Sequence, residues 1–379
     1  MKYLDRSLEG KKIIWLRASN RYMLVELPAY EVILRLFNGD KPEEIARWCT
    51  GIYHLPKAES LRFVNEIKEL SEQQFVLNES TLGKFTPDVY DCIPARYYSK
   101  RQYSFNDFTI CVEYETSQIE YLIHPKYAHL EIETTKDCDH YFQVFRHHDN
   151  FLLKVNGTII GQWLDEEFHF LTGRFSMELL NQIYRKAESD WLGVFHASAI
   201  SLGNSCVMFL GDSGKGKSTI SAILMAAGFD LLADDFVPVD AVLREVFYFP
   251  AALAVKKKAL DHLIPLYPHF EDAAEFYYPG MDKTVRYLAP SRRADNSACS
   301  YPCKALVFVK YEKDSGMIFQ EMPKDIAFQH LVPDSWISPL PENAARFMDW
   351  FLDLPCYQLT YSDNAKMVVA IEELFQHEI

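Results

Sequence analysis

Apolar positions recur with two periods along this chain. Near the N-terminus, residues 12–16 and 22–27 read as the strands of a hairpin turning through Ala18, Ser19 and Asn20. The period then lengthens, and Ala29, Val32, Ile33, Leu36 and Phe37 form a helical stripe that stops at Asn38 and Gly39. A second helix is expected from Pro42, carrying Ile45, Ala46 and Cys49, and a third carries Leu61, Val64, Ile67 and Leu70. A short strand at 74–77 would close a small winged-helix unit. After a linker with Pro87 and Pro94, residues 105–173 turn β-rich. Their apolar runs at 108–114, 129–132, 142–145, 151–155 and 158–163 are broken by turn signals such as Asn156-Gly157. A helix is expected at 176–192.

The stretch that carries chemistry comes next. An apolar run at 206–210 enters Gly211, Asp212, Ser213, Gly214, Lys215 and Gly216. Lys217, Ser218 and Thr219 then open a helix with Ile220, Ile223, Leu224 and Ala227 on one face and Gly228 at its end. This is the G-x-x-x-x-G-K-[ST] pattern between a strand and a helix that a phosphate-binding loop requires. Its glycines allow the tight turn, and backbone N–H groups at the helix start can face phosphate oxygens. Lys217, expected to face solvent, would reach the β- and γ-phosphates of ATP, and the Ser218 hydroxyl would ligate Mg²⁺. Upstream, 195–200 reads as one strand bearing His196 and leading through Gly203-Asn204 into the loop's own strand. Downstream, Leu231, Leu232 and Ala233 end in Asp234 and Asp235, paired acids that are costly to bury without a partner.

Charge narrows the partners. With 39 Lys and Arg against 53 Asp and Glu, the net charge of −14 excludes the basic footprint of a nucleic-acid binder. An anionic nucleotide would have to be held locally. A length of 379 residues suits two or three domains. The opening MKYLDRSLEGKK has no apolar signal region and no run reaches membrane-spanning length, so the expectation is a soluble, cytoplasmic protein with no membrane partner. The scattered cysteines, with Cys299 and Cys303 as the sole close pair, read as reduced thiols. His147 and His148 would point to opposite faces of a strand and make a poor metal pair. Lys215 is open between solvation and phosphate contact, while Lys256, Arg292 and Arg293 read as a solvated basic face more readily than as phosphate or acceptor contacts.

Two resemblances join these readings. The order of elements and the run SNRYMLVELPAYEVILRLFNGDKPEEIARW resemble the precursor-peptide recognition (PqqD-like) domains of ribosomal-peptide modification systems. In that family a leader peptide adds as a strand beside the hairpin and against the third helix. A helical cap or a subunit-contact module is the alternative. The run HASAISLGNSCVMFLGDSGKGKSTISAILMAAGFDLLADD is similar to the core of the HPr serine kinase/phosphorylase family, related to phosphoenolpyruvate carboxykinases. That resemblance implies Lys217 on phosphate, Ser218 and Asp235 on the metal side, Asp234 as general base and His196 as the active-site histidine. The Arg-Gly-Leu-Gly segment of true HPr kinases has no counterpart, so neither HPr nor the reverse phosphorylase reaction is implied.

The expected fold is mixed α/β: a winged-helix domain at 1–85, a β-rich segment at 86–190 and an HPr-kinase-like phosphate-loop core at 191–379. The expected function is ATP- and Mg-dependent transfer to a Ser or Thr hydroxyl of a peptide or small protein. A nucleotide-gated binding protein and a small-molecule kinase are the alternatives, and a homo-oligomer is left open.

Overall fold

In the computed structural model, which describes residues 2–75, 94, 96–105, 108–134, 137–278, 283–291 and 299–376, the expected hairpin gains a third strand. Tyr3–Leu8 pairs antiparallel with Lys11–Leu16, which pairs with Arg21–Glu26. Expectations for 76–77, Pro87, Cys92, Arg292 and Arg293 lie outside the described residues. Helices Leu27–Phe37, Pro42–Tyr53 and Lys57–Phe75 follow the apolar stripes. The first ends at Asn38, and Gly39 leaves it at φ 90°, a left-handed conformation that favours glycine. Gln74 continues the third helix and does not open a strand, since Glu72, Gln73 and Gln74 are all good helix formers. On the helix side of the sheet, Ile14, Leu16 and Ile33 are buried and gather Met23, Val25, Phe37 and Ile67.

This unit is discontinuous in sequence. It comprises Met1–Thr81, Pro323–Pro333 and Ile337–Asp353. Helices Lys324–Leu331 and Pro341–Asp353, which the sequence division places with the nucleotide core, therefore belong with the N-terminal strands. Tyr22 packs edge-on to Phe328 and Phe347, with ring centroids 6.2 and 5.2 Å away. Arg6 pairs with Asp349 at 2.6 Å and Lys11 with Asp325 at 2.7 Å. Ile13 and Trp15 alternate with Ile14 and Leu16 along their strand and are buried as well, so both faces of the sheet are covered.

The second unit holds Leu82–Met322, Asp334–Trp336 and Leu354–Ile379. Its first sheet has five strands in the order Ser99–Phe105, Phe108–Tyr114, His140–His147, Asn150–Val155 and Thr158–Leu164. The second and third run parallel, and helix Ser117–Tyr127, capped by the Thr116 side chain, lies in the connection between them. The strand expected at 129–132 is instead a 3-10 turn, Ala128–Leu130, followed by an isolated bridge between Tyr103 and Glu131. The helix expected at 176–192 is Phe168–Tyr184, stopped where Arg185 turns left-handed at φ 51°.

Strand Ser205–Leu210 sits inside a ten-stranded sheet, antiparallel to Ser198–Leu202 and parallel to Ser300–Tyr311. Asp230–Asp234 pairs on the far side of Ser198–Leu202. The single strand expected at 195–200 is two strands, Trp191–Phe195 and Ser198–Leu202, which are not neighbours in the sheet. His196 and Ala197 form the break between them. With these sheets, a three-stranded one and ten α-helices among the described residues, the class is mixed α/β. No helix among those residues is long and apolar enough to cross a membrane.

The fold places the buried Ile33 where the first helix meets the N-terminal sheet. Ile33→Ala should destabilise that unit by about 2–4 kcal/mol through lost burial and an unfilled cavity. Urea denaturation followed by tryptophan fluorescence reads this. A loss below about 0.5 kcal/mol would mean that the helix-to-sheet cluster does not hold the unit together.

Candidate functional site

Glycine sets the shape of the loop between Ser205–Leu210 and helix Lys217–Ala226. Gly211 has φ 137°, and a side chain there would put Cβ 2.9 Å from the Val309 carbonyl. Gly216 has φ 111° and immediately precedes the helix. Between them, Asp212, Ser213 and Gly214 are exposed, while Lys215 is half-buried and its carbonyl accepts from Tyr311 N at 3.0 Å. Thr219 borders the small hollow over the loop.

Lys217 does not face solvent as expected. It is 5% exposed, and its ammonium folds back to donate to the Gly211 carbonyl at 2.6 Å. Burial pushes its pKa down, opposed by Asp235, Asp234, Asp334 and Asp212. The loop thus closes on its own lysine, which spans the turn from the first helical residue to the first glycine.

Ser218 points the other way. Its hydroxyl donates to Asp234 at 2.9 and 3.1 Å. Asp234 ends strand Asp230–Asp234 opposite Ser198 and is 1% exposed. Burial, then repulsion from Asp235, pushes its carboxyl up to about 7, against the pull of Ser218 and Ser198. Asp235 leaves the strand at φ 60°, a left-handed conformation that few non-glycine residues adopt. Burial would raise its pKa, but Lys283, His196, Lys126 and Lys217 together hold it below the usual carboxylate value. His196, at the break between the two strands, places Nδ1 3.8 Å from Asp235 Oδ1. Burial lowers the imidazole pKa against the pull of Asp235.

The two acids therefore stand in different places. Asp234 is sealed behind Ser218, whereas Asp235 opens on a cavity of about 900 Å³ that it shares with His196 and Ser213. Lys256 is brought to the loop and donates to the Ser213 hydroxyl at 2.9 Å, and Lys258 Nζ lies 3.4 Å from the Gly214 carbonyl. The sequence points to Lys256 alone of these two, and as part of a solvated basic face. Lys126, Lys283, His169, Tyr278 and Tyr287 also line the cavity and went unnoticed in the sequence. Each is a lone residue in an ordinary helix or strand.

Compared with protein-family models and with curated proteins, the chain matches none.

Among the described residues no group of three or more His, Cys, Asp or Glu side chains gathers as a metal site. Magnesium asks for less, since one or two carboxylates together with substrate phosphates and water commonly hold it. The Ser218 hydroxyl and the Asp234 carboxylate, two hard oxygen donors in contact beside the loop, fit that requirement.

The buried Asp234 generates a pH prediction. In the folded chain it keeps its proton up to about 7, whereas an unperturbed aspartate releases it near 3.8. The folded state thus binds more protons across that window, and stability falls as pH rises through it. Asp234→Asn removes this term, so its Tm relative to the parent should be higher at pH 8 than at pH 5 in metal-free buffer. Thermal melts at both pH values decide, and a difference independent of pH would show that Asp234 ionises normally.

Proposed function

We propose that this chain is an ATP- and magnesium-dependent kinase that phosphorylates a Ser or Thr hydroxyl on a peptide or small protein. The observation that carries this reading is the meeting of three things: a glycine-shaped phosphate loop, Ser218 bonded to a buried Asp234, and Asp235 at the wall of a lysine-lined cavity. A loop of this kind needs little covalent chemistry from the protein, because phosphoryl transfer is accelerated mainly by positioning and charge neutralisation. The reading extends to the HPr-kinase-like fold that the sequence resembles and to work in the cytoplasm.

In the proposed reaction, Lys217 leaves the Gly211 carbonyl for the β- and γ-phosphate oxygens, and Lys256 and Lys258 close over the loop. Magnesium, when bound, would neutralise charge on the transferring group, with Ser218 and Asp234 as its protein donors. The acceptor hydroxyl oxygen forms a bond to the γ-phosphorus as the bond to the β-phosphate oxygen breaks. The hydroxyl proton passes to a carboxylate. The sequence resemblance gives that proton to Asp234 and the metal side to Asp235; the geometry favours the reverse. Asp234 touches Ser218 and does not line the cavity, while Asp235 lines it and its cationic neighbours keep it ionised.

The N-terminal unit would present the acceptor. Arg21–Glu26 is the last strand of its three-stranded sheet, the place where a leader peptide could add by backbone pairing. Deleting residues 1–85 is a poor test of this, because it strips helices Lys324–Leu331 and Pro341–Asp353 of the sheet that belongs to their unit.

Two substitutions separate the roles. Lys217→Ala should lose the Tm increase that Mg-ATP gives the parent protein. Asp235→Asn should keep that increase yet lower phosphoryl transfer to a serine-bearing peptide, followed as ADP release, by about 10²- to 10⁴-fold in kcat. If Asp235→Asn transfers at the parent rate while Asp234→Asn does not, the base is Asp234 after all. If Mg-ATP stabilises neither the parent nor Asp235→Asn, the kinase reading is wrong.

A further inference from the structure

The walls of the cavity bear on the acceptor's chemistry, an inference that rests on the kinase reading for what the cavity holds. Five lysines line the cavity, Lys126, Lys256, Lys257, Lys258 and Lys283, against Asp235 as its one lining carboxylate among the described residues. This is a local reversal of sign in a chain of net charge −14. Lys256 and Lys258 are accounted for at the phosphate loop. Lys257 stands 3.8 Å from Glu275. Two ammonium groups remain, and both approach Asp235 from elements outside the loop, although Lys283 also lines the small hollow over it.

Lys283 opens strand Lys283–Leu288, with Nζ 3.9 Å from Asp235 Oδ2, too far for a hydrogen bond. Lys126 lies in the last turn of helix Ser117–Tyr127 and is half-buried. It lines the large cavity and not the small hollow over the loop, which separates it from the donor's phosphates. Among the described residues it has no hydrogen bond or ion pair from its side chain. Burial works against the Lys126 ammonium and Asp235 opposes that cost without a direct bond, yet Asp235 supplies a single negative charge that Lys283, His196 and Lys217 share.

We propose that Lys126 and Lys283 form an anion seat for the acceptor, so that the hydroxyl to be phosphorylated belongs to a residue that carries or directly adjoins a carboxylate. An anion seated there would complete the pairing of both lysines. The same lysines would offset the repulsion between that carboxylate and the incoming phosphates, which is strong in a site partly shielded from water. Tyr278 and Tyr287, whose hydroxyls bond to each other at 2.9 Å, give the seat a wall with apolar ring faces. Either an acidic side chain next to the serine or a C-terminal carboxylate supplies the required chemistry.

Two pairs of synthetic peptides distinguish these sources: acetyl-Gly-Ser-Glu-Gly-amide against its Gln counterpart, and acetyl-Gly-Gly-Ser with a free carboxylate against its amide. Their affinities for the full chain, loaded with magnesium and a non-hydrolysable ATP analogue, are read by calorimetry. At least one anionic peptide should bind about tenfold or more tighter than its neutral partner, and the pair that shows the difference names the source. Lys126→Met and Lys283→Met should each shrink that ratio to below about threefold, while Lys126→Arg should preserve most of it. Equal affinities within both pairs, or a ratio that survives in both Met variants, would overturn the proposal. The readout needs no turnover. A chain that discriminates acidic from neutral peptides yet never transfers a phosphoryl group would refute the kinase reading and leave the anion seat standing.

Discussion

Two adjacent carboxylates at the end of one strand are the constraint around which the second unit is arranged. Asp234 and Asp235 repel each other, and burial penalises both charges. The fold separates them by conformation. Asp234 stays in the strand and accepts the Ser218 hydroxyl, so it faces the loop helix. Asp235 leaves in a left-handed turn, at a backbone cost of about 1–3 kcal/mol, and faces the cavity cations. One acid carries a raised pKa and its neighbour a lowered one, the kind of division that lets two like groups do different work.

Basic side chains from several elements offset the charge of the pair. Lys217 comes from the loop helix, Lys283 from a small three-stranded sheet, Lys126 from a helix in the five-stranded sheet's crossover, and His196 from a break between two strands of the large sheet. Four separate elements thus converge on one strand end. The β-rich segment and the segment that carries the loop belong to one unit, and Lys126 of the former and Asp235 of the latter line one cavity. It also explains how an acidic chain can offer a basic pocket.

Sequence reading reached the parts of this arrangement that are local. The loop was legible because Gly211, Gly216, Lys217 and Ser218 occur at fixed spacing between a strand and a helix. The acids were legible because Asp234 and Asp235 end an apolar run. The helical stripe from Ala29 to Phe37 was legible from its period. What depends on distant pairing was not. Tyr3–Leu8 has no apolar/polar alternation, with Asp5, Arg6 and Ser7 in succession, and gives little sign of a strand until Arg6 finds Asp349 and Lys12 finds Asp5. Helices Lys324–Leu331 and Pro341–Asp353 carry no mark that they belong with a sheet three hundred residues upstream. Lys126 and Lys283 look like any surface lysine, and the fold of Lys217 back onto Gly211 rests on burial that no spacing reports.

The central claim is that the loop and Asp234 together make a site for a magnesium nucleotide. Calorimetric titration of the unmodified protein with ATP, with magnesium and again with EDTA, tests it most directly. Saturable binding that weakens by about tenfold or more when EDTA removes the metal is the predicted result. No binding in magnesium, or an affinity that EDTA leaves unchanged, would contradict it.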